Sequence, residues 1–382
     1  MDIGTGNTSV AGVELNTAIL AVLAILVGNG FILWSSLPAR HRLPALLVGV
    51  LVLSVGTTIP ELAIVIRAAL GDVRTSVDVG YSATSVDNYT VLSTTTFPVA
   101  VILGSCLSNL LLVTGVAGLV LPKPFVIERF TRGRDMTFLF LALIVLFVGV
   151  HFSDSDRIKP IWIGFSLVAL GILYVIVVGV TELSGGDAPP TSDSPDGGAD
   201  FISTFFYFVL GAVLLVLGVH LIFVESPSVI DAVFKPIDLK QWPIAPGDRA
   251  KYALYGLLFI GLAVALPELI ATLFARLRGQ ADVVAGNLIG ASVFNILGVL
   301  GIGIILSHGR MVTGLDWTIF APDLIVLAIA AVLLAIFFRT ESQLDAWEGL
   351  ILVGIYVAYW VLRFTSVIPP FLPSAAPGGP SG

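Results

Sequence analysis

The sequence predicts an all-α integral membrane protein of ten transmembrane helices, arranged as two inverted five-helix repeats. Three observations carry that expectation: a composition too poor in charge for a soluble domain, ten apolar runs of bilayer length, and a pair of motifs that occurs twice in the same order. Of the 382 residues, 57% are hydrophobic and 12% charged, against roughly 25% charged in an ordinary soluble domain. With a mean hydropathy of +1.01, lipid is the solvent in which so much apolar surface is buried. The net charge of -7 leaves no basic patch for nucleic acid or polybasic stretch for anionic lipid. One cysteine, Cys106, excludes an internal disulfide, and four scattered histidines give no zinc spacing.

A spanning helix needs about 20 apolar residues, and such runs lie at 15–36, 43–69, 97–121, 135–152, 160–180, 201–225, 252–275, 283–307, 317–338 and 347–364. They are continuous rather than alternating, which predicts helices and not barrel strands. The first run follows Asp2 and Glu14 with no Lys or Arg before it, so it reads as a retained helix rather than a signal peptide. Thr181–Asp200 has linker composition and divides the chain into repeats at 1–180 and 201–366; the Pro/Gly-rich stretch 367–382 is expected to be disordered. Loop Lys and Arg are nearly balanced between the two faces, with the early loops favouring an outer N-terminus. That topology predicts that Gly71–Thr96 and Ser226–Ala250 cap the outer side.

The halves repeat each other. Ser54–Ala68 (SVGTTIPELAIVIRA) matches Gly261–Ala275 (GLAVALPELIATLFA), placing Pro60-Glu61 over Pro267-Glu268, 207 residues on. Leu103–Val116 (LGSCLSNLLLVTGV) matches Ile289–Ile302 (IGASVFNILGVLGI) at an offset of 186, so that Gly104 meets Gly290 and Asn109 meets Asn295. Asp135 then aligns with Asp323, and Tyr174 with Tyr359. The drop in offset locates an extra stretch of about twenty residues in the first half, expected as a loop within Gly71–Thr96. An odd number of helices per repeat inserts the second copy upside down, and equivalent residues meet near the midplane.

An ionisable residue deep in an apolar run is expensive and normally faces a cavity, a partner or an ion path. Glu61 and Glu268 do this at equivalent positions. Pro60 and Pro267 lack an N–H, so the Gly56 and Ala263 carbonyls lose their helical partner and can ligate a cation. Thr57 and Thr58 add hydroxyls in the first repeat, where the second has Val264 and Ala265. Ser105 and Asn109, four apart, share a face of helix 3, with Ala291 and Asn295 as counterparts and Ser292 one position beyond. The site is therefore expected to be lopsided, richer in polar groups on the first-repeat side. Gly104, Gly115, Gly118, Gly286, Gly290, Gly298 and Gly301 read as close-packing faces. His220 and His308 read as interfacial, Cys106 as a small buried apolar residue, Arg67 as snorkelling, and Asp135 and Asp323 as acids at helix N-termini.

GTTIPEL with GSCLSN, echoed by AVALPEL with GNLIGASVFN, resembles the cation/calcium exchanger superfamily, which includes the sodium/calcium exchangers. The likeness covers most of the chain. It implies ten helices in two inverted repeats and a midplane site where Glu61 and Glu268 bind Ca²⁺, joined by backbone oxygens near Thr57 and Val264, with Na⁺ competing. Thr58, Ser105, Asn109 and Asn295 match positions that help bind sodium or line that site. Val264, Ala265 and Ala291 replace hydroxyl-bearing residues, and Val101 stands where the second repeat keeps Asn287; these departures touch the monovalent positions more than the carboxylates.

Independently of the likeness, Ca²⁺ wants 6 to 8 oxygens including carboxylates, while Mg²⁺ dehydrates reluctantly and softer metals want ligands absent here. Two glutamates balance one Ca²⁺, two Na⁺ or two protons. The expectation is a Ca²⁺/cation antiporter, driven by Na⁺ or alternatively by H⁺, in a cell membrane. It is not an enzyme, and no cofactor, nucleic acid or protein partner is expected. An intramembrane hydrolase lacks its catalytic constellation at membrane depth, and a non-transporting protein on the same fold is the remaining alternative.

Overall fold

The computed structural model describes residues 19–20, 23–32, 34–35, 53–70, 86–120, 125–126, 129–152, 159–184, 197–221, 256–277, 281–313, 317–340 and 343–364. Among them, the helical segments group into elements that match the apolar runs: α1 (Leu23–Ile32), α2 (Val55–Thr57 and Ile59–Ala69), α3 (Val86–Leu107, continued through a π turn at Ser108–Val113 into Thr114–Leu119), α4 (Arg129–Phe152) and α5 (Ile161–Ser184). The second set is α6 (Gly197–His220), α7 (Gly256–Ile260, Gly261–Val264 and Leu266–Leu277), α8 (Ala281–Phe294, a π turn at Asn295–Leu300, and Gly301–Leu306), α9 (Trp317–Thr340) and α10 (Ala346–Phe364). Five of the described helices are long and apolar enough to cross a membrane, and the bent α7 makes a sixth. One two-residue antiparallel pairing, β1 (Phe125–Val126) with β2 (Gln343–Leu344), ties the α3–α4 connection to the α9–α10 connection.

Burial separates centre from periphery. The apolar windows of α3 and α8 are 89% and 78% buried, whereas those of α5 and α10 are 28% buried and present Trp162, Ile172, Ile176, Leu350 and Val357 outward. In a bilayer these outer faces contact lipid. Helices without a hydrophobic drive between them associate by close packing at small residues. Accordingly, a Cβ on Gly104 would collide with the Leu257 carbonyl, and one on Gly261 would come within 2.6 Å of the Gly104 backbone, which locks α3 against α7. Gly28 and Gly211 make the corresponding contact between α1 and α6, each lying under 3 Å from the other's carbonyl by the same measure.

The repeats are inverted. Arg276 at the end of α7 donates to the Ala117 carbonyl at the end of α3 (3.3 Å), while Val65 near the end of α2 packs on Gly303 near the end of α8. Hence α3 and α7 finish at one face, and α2 and α8 at the other.

Three expectations are corrected. Gly71–Thr96 is not wholly a loop: α3 begins at Val86, and the Ser/Thr content of its first turns hid it from a search for apolar runs. The rest of the expected outer cap, 71–85 and 226–250, lies outside the described residues, as do 185–196 of the linker and 365–382. Asp135 is not a helix-terminal charge, because α4 begins at Arg129; it is buried and paired with Arg134 (2.8 Å), which also binds Glu182 (2.7 Å) and Thr181. Asp323, seven residues into α9, accepts from Tyr359 (2.6 Å) and pairs with Arg363 (2.8 Å), joining α9 to α10.

Candidate ion-binding site

Two helix breaks build the site. The backbone leaves helical geometry at Thr58 (φ -83°, ψ 1°) and, 207 residues on, at Ala265 (φ -83°, ψ -4°). The two parts of α7 meet at 41°. Each break is followed within two residues by proline, which tolerates a first helical turn but removes the N–H that a continuous helix would use. Glu61 and Glu268 thus fall in the first turn of the second half of their helices, where the helix dipole favours an anion.

Two π turns face them. They open at Ser108 in α3 and Asn295 in α8, one residue apart in the register of the repeats. The wider turn shifts the donor to a carbonyl by one residue, and that of Asn109 accepts from both the backbone N–H and the hydroxyl of Thr114, the latter at 2.8 Å.

The side chains of both repeats meet here. Ser105 Oγ donates to Glu61 Oε1 at 2.7 Å, and Asn295 Nδ2 donates to Ser105 Oγ at 3.1 Å while reaching Glu61 Oε1 at 3.4 Å. Glu268 lies within electrostatic reach of Glu61, and the Thr57 hydroxyl approaches it without satisfying either oxygen. That hydroxyl donates to the Leu53 carbonyl (2.9 Å), leaving its lone pairs for another ligand. Glu61 and Glu268 are 0% and 1% exposed.

The buried atoms left without a hydrogen-bond partner include Glu61 Oε2, both Glu268 oxygens, both Asn109 amide atoms, Asn295 Oδ1 and Ser292 Oγ. Neither glutamate has an ion pair among the described residues. Two buried carboxylates without cationic partners cost several kcal/mol, so the arrangement fits an oxygen-coordinated cation or protons.

Of the residues expected from sequence, Glu61, Glu268, Ser105, Asn295 and Thr57 come together. Asn109 is buried one turn beyond Ser105, with no bond to the carboxylates. Thr58 turns its hydroxyl back to the Val55 carbonyl (3.1 Å), and the Val264 side chain packs in an apolar cluster with Val101 and Ile260. Cys106 is buried beside the Ser292 carbonyl, its counterpart in the other repeat (3.8 Å). Sequence reasoning missed Asn29, 1% exposed, which donates from α1 to the Pro267 carbonyl (2.9 Å). It belongs to no motif present in both halves, and that repetition was the signal for the rest.

A family profile described as "Sodium/calcium exchanger protein" matches residues 14–180 and 203–365. The chain belongs to that family. Relatives of this exchanger-family chain include the inner membrane protein YrbG of Escherichia coli, 24% identical over 92% of this chain and 97% of that one. The sodium/calcium exchanger MaX1 of Methanosarcina acetivorans is 33% identical over 112 residues, 28% of this chain and 30% of that one. Among solved structures, the sodium-calcium exchanger NCX_Mj matches with a TM-score of 0.63 and 19% identity, covering 90% of this chain and 97% of that one. The exchanger fold is thus shared across the multi-pass membrane architecture.

Proposed function

We propose that the protein is a Ca²⁺/cation antiporter of a cell membrane, driven by Na⁺, with Glu61 and Glu268 binding the ion by turns from either side. The observation that carries this reading is the cluster of buried oxygens without partners on Glu61, Glu268, Asn109 and Asn295, contributed by both repeats. Ca²⁺ takes several oxygens, carboxylates among them. The two glutamates supply the charge, and Ser105, Asn109, Asn295, Thr57, Thr58 and the carbonyl region of Val264 supply neutral oxygen. The empty site carries two negative charges and is costly to carry through lipid, while a site neutralised by one Ca²⁺ or two monovalent cations can reorient. The obligation to exchange follows from that difference.

A second reading replaces Na⁺ by H⁺. It is favoured by the second repeat's lack of hydroxyls at Val264, Ala265 and Ala291, the first of which lies in an apolar cluster. Two carboxylates accept two protons without further ligands.

The test is ⁴⁵Ca²⁺ uptake into proteoliposomes loaded with Na⁺, with K⁺ or with acid buffer. Uptake is expected to require internal Na⁺ and to vanish in Glu61→Gln and in Glu268→Gln. Uptake following only the pH gradient moves the reading to proton coupling, and uptake that survives both substitutions removes the glutamates from the site.

A further inference from the structure

The two sides of the glutamate pair are chemically unlike. One turn beyond Glu268, about 6 Å along α7, Thr272 is fully buried and accepts a hydrogen bond from Asn287 Nδ2 on α8 (3.0 Å). Asn287 is 1% exposed, and its Oδ1 has no partner. Ser54, at the entrance to α2, closes the group by donating to the Gly286 carbonyl (3.2 Å). All three lie on the side of the site where α7 ends and α8 begins.

Inversion of the repeats places their counterparts on the opposite side. Subtracting or adding the repeat offsets takes Thr272 to Val65 (272 - 207), Asn287 to Val101 (287 - 186) and Ser54 to Gly261 (54 + 207). Val65 is fully buried against Gly303, and Gly261 is pressed on the Gly104 backbone. Val101 forms a buried apolar cluster with Ile260 and Val264, covered by Ile64 and Phe97. The same architectural position is therefore polar on one side, with the Asn287 amide oxygen left without a partner, and apolar and close-packed on the other.

We propose that Ser54, Thr272 and Asn287 form a second cation station, where an ion pauses with an amide oxygen and hydroxyl oxygens between the glutamate pair and the α7-end face, while Val65, Val101, Ile260 and Val264 bar the other face. A buried amide oxygen left unsatisfied costs free energy comparable to a lost hydrogen bond, and a passing hydrated cation removes that cost. Val101 and Asn287 are fixed by sequence, so the asymmetry persists whichever way the carrier faces. The station rests on the antiport reading for its cargo, but its existence is tested apart from transport.

Two measurements decide it. In a Cys106→Ala background, Thr272→Cys is expected to react with a small cationic thiol reagent added at the α7-end face and to be protected by Na⁺ or Ca²⁺, whereas Val65→Cys stays unreactive from the opposite face. Equal reactivity of the two cysteines, or absence of cation protection, overturns the station even if the protein carries no ion. In oriented vesicles, Asn287→Val is expected to raise the half-saturating Ca²⁺ concentration about tenfold at the α7-end face only, the loss of one uncharged ligand. Val101→Asn, which leaves Asn287 in place, is expected to lower it at the other face. Changes equal at both faces, or none, overturn the proposal; wild-type vesicles without any gradient-driven flux overturn the antiport reading instead.

Discussion

At Ser105 one hydroxyl serves two masters: it donates to Glu61 and accepts from Asn295, so it couples a carboxylate of the first repeat to an amide of the second. A hydrogen bond to a charged group contributes about 1.5–3 kcal/mol. Ser105→Ala is therefore expected to raise the half-saturating Ca²⁺ concentration by roughly 10- to 100-fold, read from initial ⁴⁵Ca²⁺ uptake. Ser108, one turn away in sequence, provides the contrast, since its hydroxyl meets Tyr356 on α10 (3.0 Å) and not the carboxylates. Ser108→Ala is expected to lower thermal stability while leaving the half-saturating concentration within about twofold; the same shift in both variants would assign Ser105 a packing role.

Among elements, the last two helices of each repeat are joined by buried charge rather than by apolar contact alone. Asp323, with Tyr359 and Arg363, pins α9 to α10, and Asp135, with Arg134 and Glu182, pins α4 to α5. Breaking a buried pair by removing one partner costs about 3–5 kcal/mol, whereas replacing both by apolar groups is often neutral. Arg363→Met is thus expected to lower the unfolding temperature in mild detergent, and adding Asp323→Leu to restore most of it; a double variant no better than the single would show that the pair is not the fastening. These pins were illegible in the sequence because an acid near a predicted helix start is read first as a dipole partner, and only the extra turn of α4 and the fold of α10 reveal the arginines. The helix breaks were legible, since proline beside glutamate in an apolar run conflicts with a plain spanning helix at the same place twice. The early start of α3 was not, because its first turns carry no apolar run, and Asn29, Ser54 and Thr272 were not, because Asn29 stands outside the repeated stretches while Ser54 and Thr272, inside them, have the non-polar counterparts Gly261 and Val65.

For the whole molecule, the inverted repeats bury two carboxylates, each 1% exposed or less, where no basic side chain among the described residues pairs with them, so the folded protein without cation carries an uncompensated cost. A ligand that binds only the folded state stabilises it by RT ln(1 + [L]/Kd), about 2.7 kcal/mol at a hundredfold excess over Kd. Under the proposed function, Ca²⁺ is expected to raise the unfolding temperature of the purified protein in a saturable way, and Mg²⁺, which dehydrates reluctantly, to do so far less. Glu61→Gln and Glu268→Gln each remove one charge, so their cation-free unfolding temperature is expected to rise, or at least to hold, while their Ca²⁺ response disappears. The two signs together discriminate: a substitution that merely damaged packing would lower the cation-free value, and a cation acting on surface acids would stabilise the variants as well as the native chain. Retention of the full Ca²⁺ response in both variants would place the ion elsewhere than between the repeats and would remove the reason for their inversion to matter to transport.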